Sequence, residues 1–424
     1  MSSILAGTPL NKALSAALEN RRRNGYLRTI AEDPPTEQKV DFSSNDYLGL
    51  SRNPKLREHF LKTLGKTEHI LGSSASRLLD GNSPDHIALE KRLAAFYNAP
   101  AALLFNSGYD ANVGIFTVLP QPGDAVIYDE LIHASVHDGM RASRIPPALR
   151  IPFEHNSVEG LKDVLGNLLA ANPPYFTGER SVFVAVEALY SMDGDFAPLA
   201  EVIRTVREYF PAGNGHVIVD EAHTNGLLGP KGRGLVSHLG LEKDILVRLN
   251  TFGKAFGSSG AVVLATPLIR NYFLNYARPV IYTTALPQFN VVSMNCTLDF
   301  LEDGTGEALA KQMTDIANYC RASLTKCIEA YPGSKMSLVP SEMVGGVASP
   351  IIPIVVAPPL PLALYFQSHG YMARQIAFPT VPRGQERVRL CVHASNTRKE
   401  VDGLVEVLHE WMKQQNFGAS KAKL

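Results

Sequence analysis

The chain has 424 residues, room for two or three domains, and 45% hydrophobic against 19% charged residues is the balance of an ordinary globular protein. Lysine plus arginine and aspartate plus glutamate both number 41, so the formal net charge is zero. That excludes the basic footprint of a nucleic-acid binder and leaves no field to steer a charged partner.

The first residues, MSSILAGTPLNKALSAALENRRR, put the basic cluster after the apolar part, the reverse of a secretory leader. Helical periodicity over 9–28 predicts an N-terminal helical arm within 1–45. From 46 to 290, strand-like runs alternate with helical patterns. The strands are expected at AALLF (101–105), AVIY (125–128), VFVAV (182–186), HVIVD (216–220), ILVRL (245–249) and AVVLA (261–265). Amphipathic helices are expected at HIALEKRLAAFY (86–97) and LAEVIRTVREYF (199–210). Continuous β-branched runs alternating with helices predict an α/β fold with a mostly parallel sheet covered on both faces. From 291 to 415 the pattern changes to helices near 291–303 and 306–331, short strands near 351–356 and 387–393, and a last helix. That predicts a smaller C-terminal α+β domain.

No run reaches membrane-spanning length, so no membrane partner is expected: IIPIVVAPPLPLALYF (351–366) is broken by prolines. The four cysteines (Cys296, Cys320, Cys327, Cys391) form no C-x-x-C pair and read as reduced, buried thiols rather than disulfides or a zinc site. A flexible tail, 416–424, ends in Ala422-Lys423-Leu424, a close variant of the S-K-L address. The expectation is a peroxisomal protein carried by the import receptor, and otherwise a cytoplasmic one.

Nucleotide motifs fail. Gly65-Lys66-Thr67 lacks the first P-loop glycine, because Phe60 stands there, and no G-x-G-x-x-G follows a strand. Open parallel sheets still bind ligands at the carboxyl ends of their strands. There the sequence delivers an unusual set. HVIV runs into Asp220 and His223; ILVRL into Thr251 and Lys254; AALLF into Ser107-Gly108-Tyr109; AVIY into His133; VFVAV into Glu187 and Ser191. Each alone has a plain reading: a helix cap, a packed histidine, a turn. Together they meet the needs of pyridoxal 5′-phosphate. Its aldehyde needs an amine (Lys254) and its ring nitrogen an acid (Asp220). His223 suits the phenolic oxygen and His133 the ring face. The phosphate suits a helix N-terminus at Gly108 and Tyr109, with the Thr251 hydroxyl.

DFSSNDYLGLS (41–51), SRLLDGNSPDHIALE (76–90), FNSGYDAN (105–112), HASVHDG (133–139), YSMDGDFAPL (190–199), DEAHTNGLLG (220–229), TFGKAFGSSGA (251–261) and IYTTALP (281–287) are similar to motifs of the α-oxoamine synthases, fold-type I pyridoxal-phosphate enzymes. The likeness runs from about 10 to 410. It implies that Lys254 bonds the cofactor, Asp220 partners its ring nitrogen, His133 stacks on it, and His223 and Ser191 contact its phenolic side. It also implies that Arg389 holds the amino-acid carboxylate, that Arg28 and Asn45 lie near substrate, and that Thr283 and Thr284 reach the phosphate of the other subunit of a homodimer. Two segments depart from the pattern. Where the family often reads AIRPPTVP this chain has QIAFPTVP (375–382), with Ala377 for the arginine; where it reads DEAHGTG this chain has Thr224-Asn225. Both departures are expected beside the substrate channel.

The resemblance is strongest to the biotin-pathway member. It implies decarboxylative condensation of L-alanine with pimeloyl-CoA to 8-amino-7-oxononanoate. Alternatives are glycine or serine with another acyl-CoA, a non-catalytic partner subunit, or an aminotransferase.

Overall fold

A computed structural model describes residues 8–24, 27–28, 30 and 39–415. Contacts divide the chain into two units, 1–40 and 41–424. The first contains one described helix, Pro9–Arg23, begun by the Thr8 side chain and ended at Asn24, short of the predicted 28.

The second unit is built on a seven-stranded sheet: β1 (Ala101–Phe105), β2 (Ala125–Asp129), β3 (Arg150–Phe153), β4 (Val182–Glu187), β5 (Gly215–Asp220), β6 (Val247–Thr251) and β7 (Ala261–Ala265). Their order is β1-β7-β6-β5-β4-β2-β3. Only β7 runs against its neighbours. β3, RIPF, was not expected; it is short, carries a proline and alternates poorly, which suits an edge strand. β6 begins and ends two residues beyond its predicted span, so Asn250 and Thr251 belong to the strand.

Alternation along the strands feeds two apolar layers. Ala125, Ile127, Val182, Val184, Val186, Val217 and Val219 face one layer, with Leu161 and Leu165 from helix Val158–Ala171 and Val202 and Val206 from helix Leu199–Tyr209. Val126, Phe183, Ala185, Ile218 and Leu249 face the other, with Ile115 and Phe116 from helix Gly108–Val118. Each fully buried side chain of this size contributes about 1.5–3 kcal/mol. With both faces covered, only the strand ends are left for polar chemistry.

A second sheet lies in the C-terminal part: β8 (Ser337–Leu338), β9 (Ile351–Val355), β10 (Arg374–Ile376) and β11 (Arg387–Cys391), in the order β10-β11-β9-β8. The helices before it are Gln288–Glu302 and Thr305–Glu329, and the last helix, Arg398–Gln414, starts on a Thr397/Glu400 capping box. All four cysteines are buried and free. Among the described residues no helix is long and apolar enough to cross a membrane. The tripeptide Ala422-Lys423-Leu424 lies outside the described residues.

One buried charge cluster ties the loop after β4 to β2. The His155 imidazole lies between Asp129 Oδ1 (2.8 Å) and Asp195 Oδ2 (3.0 Å), with the Tyr190 ring edge-on at 4.5 Å. Asn156 joins it, donating its backbone N–H to Asp129 and its side chain to Asp195. Burial disfavours the imidazolium, but the two carboxylates outweigh that and raise its pKa to about 10. A raised pKa stabilises fully below the unfolded value of about 6.5 and is lost as pH climbs through about 10. The urea-unfolding stability of the natural chain should therefore exceed that of His155→Gln most at about pH 6, and the gap should close towards about pH 10. A gap that stays constant with pH would show that the imidazolium is not the stabilising form.

Candidate active site

A cavity of about 270 Å³ opens at the carboxyl ends of β4, β5 and β6. Its wall contains Gly108, Tyr109, His133, Asp220, His223, Thr251 and Lys254, seven of the residues the sequence singled out. Lys254 sits in the turn from β6 to β7. Phe252 and Phe256, both fully buried with ring centroids 5.0 Å apart, anchor that turn on either side of the lysine. Of the neighbouring glycines, Gly253 lines the cavity and Gly257 serves the turn. Gly257 has φ +61°, and a Cβ there would come within 2.6 Å of the Ser51 backbone nitrogen.

Asp220 is held at both oxygens. Oδ1 accepts from the Ala222 N–H at 2.9 Å and Oδ2 from Asn112 Nδ2 at 2.8 Å. Asn112 also donates to Ser135 Oγ at 3.0 Å, and Ser135 Oγ lies 2.7 Å from His133 Nδ1. One amide thus sets the aspartate and, through a hydroxyl, the histidine ring. His223 Nδ1 is 2.7 Å from the buried Tyr47 hydroxyl, which also donates to Asn45 Oδ1 at 3.2 Å. Asn45 Oδ1 in turn accepts from Arg389 Nη2 at 3.1 Å. Arg389 Nε donates to the Ser191 carbonyl at 2.6 Å, and Arg387, two residues earlier on β11, pairs with Asp193.

Burial is the leading cause of every shift in the pocket. It lowers Lys254, helped by Arg389 and opposed by Asp220 and Glu187. It holds His223 well below the usual imidazole range, helped by Lys254 and Arg389. It lowers His133 against the pull of Asp220. It raises Glu187 well above the carboxylate range, with Asp220 adding to the rise. Glu187 is paired in register with Asp220 across β4 and β5 and lines the same cavity. The pocket thus contains a carboxyl held towards its neutral form, two imidazoles held towards theirs, and an amine eased towards its nucleophilic form.

The residues fit pyridoxal phosphate on two observations of this chain. The Thr251 hydroxyl is buried with no partner, on a residue that lines the cavity. Gly108 opens its helix under the Ser107 cap, and a Cβ at 108 would fall 2.5 Å from Thr251 Cγ2. First-turn N–H groups at Gly108 and Tyr109, with the threonine hydroxyl, suit an anion, and any side chain at 108 would collide with the Thr251 methyl beside them.

The other expected residues divide. Ser191 lines a neighbouring cavity of about 600 Å³, which meets the first at His133. Thr283 is half-buried and Thr284 exposed; neither lines the cofactor cavity, though Asn106 Nδ2 donates to the Thr284 carbonyl at 2.7 Å. Arg28 is exposed, in the first unit. Thr224 and Asn225 are corrected: they are buried under the site, not beside a channel. Thr224 donates to Glu221, and Asn225 joins the Tyr97 hydroxyl (2.6 Å) to the Thr251 carbonyl (2.8 Å). Ala377 is half-buried, and the segment after it, from Phe378 to Pro382, walls the larger cavity. Asn112, Ser135, Tyr47 and Glu187 carry functions the sequence reading did not assign. Asn112 had a signal: it stands four residues after Gly108, on the helix face that turns to the cavity.

The sequence model of the family described as Aminotransferase class I and II matches residues 37–408. The 8-amino-7-oxononanoate synthase of Emericella nidulans is 45% identical over 98% of both chains. The aminoacyl transferase sphA of Byssochlamys spectabilis is 37% identical, over 96% of this chain and 88% of its own. A serine palmitoyltransferase from S. paucimobilis, solved with PLP and myriocin bound, superposes with a TM-score of 0.77 at 26% identity, covering 96% of this chain and 99% of that one. The 8-amino-7-oxononanoate synthase of Francisella tularensis gives 0.65 at 26%, over 89% and 99%.

Removing a hydrogen bond to a charged group costs about 1.5–3 kcal/mol. Asn112→Ala should therefore weaken pyridoxal phosphate binding roughly ten-fold or more, measured by titrating cofactor-stripped protein. Gly108→Val should block binding outright. Unchanged affinity in both variants would place the cofactor elsewhere.

Proposed function

The chain belongs to the aminotransferase class I and II family, as a pyridoxal-phosphate-dependent transferase of the α-oxoamine synthase type, and we propose that it joins L-alanine to pimeloyl-CoA, releasing coenzyme A and carbon dioxide and forming 8-amino-7-oxononanoate. The observation that carries this reading is the convergence of Lys254, Asp220, His133 and His223 on one cavity, in a chain 45% identical to an enzyme of that name.

When bound, pyridoxal phosphate supplies an aldehyde for the substrate amine and a ring that accepts the electron pair left at the substrate Cα. Lys254 would hold the group through its aldehyde, and its Nζ, with a pKa lowered by burial, suits the base that takes the substrate Cα proton. Asp220, fixed by Asn112 and the Ala222 N–H, would partner the ring nitrogen. His133, with Nδ1 engaged by Ser135, would present its ring to the group. His223, with Nδ1 engaged by Tyr47, would leave Nε2 for the phenolic oxygen. Arg389, buried and already aimed by Asn45 and the Ser191 carbonyl, clamps the amino-acid carboxylate. The Cα then bonds to the thioester carbonyl carbon, the thiolate of coenzyme A leaves, the carboxylate is lost as carbon dioxide, and the electron pair left at Cα takes back a proton from Lys254 Nζ.

We place the enzyme in a homodimer. The exposed segment around Tyr282 and Thr284 supports this reading, with Thr283 and Thr284 meeting the phosphate of the other subunit. A second reading, another amino acid with another acyl-CoA, is favoured by the sphA and serine palmitoyltransferase relatives.

Purified protein should carry a visible absorbance band that is absent in Lys254→Ala. L-Alanine, but not glycine or L-serine, should shift that band and support pimeloyl-CoA-dependent release of coenzyme A. A response to serine or glycine alone would move the substrate and keep the family.

A further inference from the structure

The acyl chain needs a place beside Lys254, and the larger cavity adjoins the cofactor pocket at His133. Leu131, Ile132, Phe378, Val381 and Pro382 give it a wall suited to methylene groups. Its charges are less hospitable to a carboxylate. Glu130 and Asp193 line it, and its only lining guanidinium, Arg387, is already committed to Asp193 and to the Met192 carbonyl at 3.1 Å. His133 and His137 are both lowered by burial and supply no cation at neutral pH. An acyl chain that ends in an anion would find no free positive partner among these lining residues.

Arg383 supplies one from the rim. It follows Pro382 directly, is exposed, and has its Cζ 4.6 Å from the centroid of the Phe378 ring. A guanidinium lying over an aromatic face keeps its in-plane N–H donors free for a planar anion. Among the described residues no carboxylate pairs with it. Both changes from the family motif bear on this placement. Ala377 removes the motif's arginine, and Phe378 replaces its proline with the ring on which Arg383 rests.

We propose that Arg383, seated on Phe378 at the rim of the larger cavity, binds the distal carboxylate of the acyl thioester and so selects a dicarboxylic mono-thioester over a simple fatty acyl thioester. This rests on the α-oxoamine synthase reading of the site. The experiment compares holoenzyme turning over L-alanine with pimeloyl-CoA and with heptanoyl-CoA, which has the same chain length and no carboxylate. The natural protein should favour pimeloyl-CoA in kcat/KM. Arg383→Ala should lower the pimeloyl-to-heptanoyl ratio about ten-fold, chiefly through KM for pimeloyl-CoA, as befits one charge-assisted hydrogen bond at a rim. Arg383→Lys should restore part of the ratio, and Phe378→Ala should lower it in the same direction. The cofactor band and the thermal midpoint, read on each variant, report that it is folded and loaded. An unchanged ratio in Arg383→Ala, or equal losses with both thioesters, overturns the assignment, the latter by placing Arg383 against the coenzyme A moiety. If the natural protein itself turns over neither thioester, or favours heptanoyl-CoA, the pimeloyl reading fails on its own evidence, separately from any result with the variants.

Discussion

The site depends on burying one amine and two carboxyl groups side by side. Glu187 and Asp220 end adjacent parallel strands in register, and Lys254 enters the same cavity from the next strand. Two carboxylates this close and this sheltered do not both ionise at low cost, so one keeps its proton. Asp220 has a donor at each oxygen, Asn112 and the Ala222 backbone, whereas Glu187 has the His133 backbone N–H. Glu187 is the one pushed up by burial and by Asp220. The asymmetry sets Asp220 in place by hydrogen bonds at both oxygens and holds Glu187 towards its protonated form.

Around Asp220, each imidazole is fixed through its Nδ1. His133 is held by Ser135 and His223 by Tyr47. The Tyr47 hydroxyl is buried and its pKa raised by that burial, so it stays protonated as a donor. Through Asn45 it joins Arg389, so the clamp and the phenolic-oxygen contact proposed above, Arg389 and His223, share one chain of hydrogen bonds. Arg387 and Arg389 lie two apart on one strand, hence on one face of the second sheet, and both grip residues 191–193. The same loop is gripped from the first sheet by His155 and Asn156. The loop after β4 is therefore the joint between the two sheets, and Ser191 is placed by both.

The departures from the family motifs separate once the chain is folded. Thr224 and Asn225 adjoin His223 in sequence, yet their side chains turn beneath the site and fill hydrogen bonds of Glu221, Tyr97 and Thr251. Their effect on substrate is indirect. Ala377 and Phe378 lie far along the chain from Lys254, yet Phe378 and the residues after it wall the cavity next to it. The motif pattern set both departures beside the channel, and packing distinguishes them.

The sequence by itself determined the α/β alternation, the strands that end in chemistry, and the residue types that a pyridoxal phosphate site needs. Local pattern suffices there, because strands buried on both faces read as continuous apolar runs and a strand end exposes whatever residue follows it. Only the tertiary structure decided which groups share a hydrogen bond: Asn112 with Asp220 across 108 positions, Tyr47 with His223 across 176, Asn45 with Arg389 across 344. It also decided that Ser191 belongs to the second cavity and that Arg383 lies over Phe378. Such pairings have no local signature, since each is fixed by how the two sheets and the loop between them pack, not by the residues on either side of it in the chain.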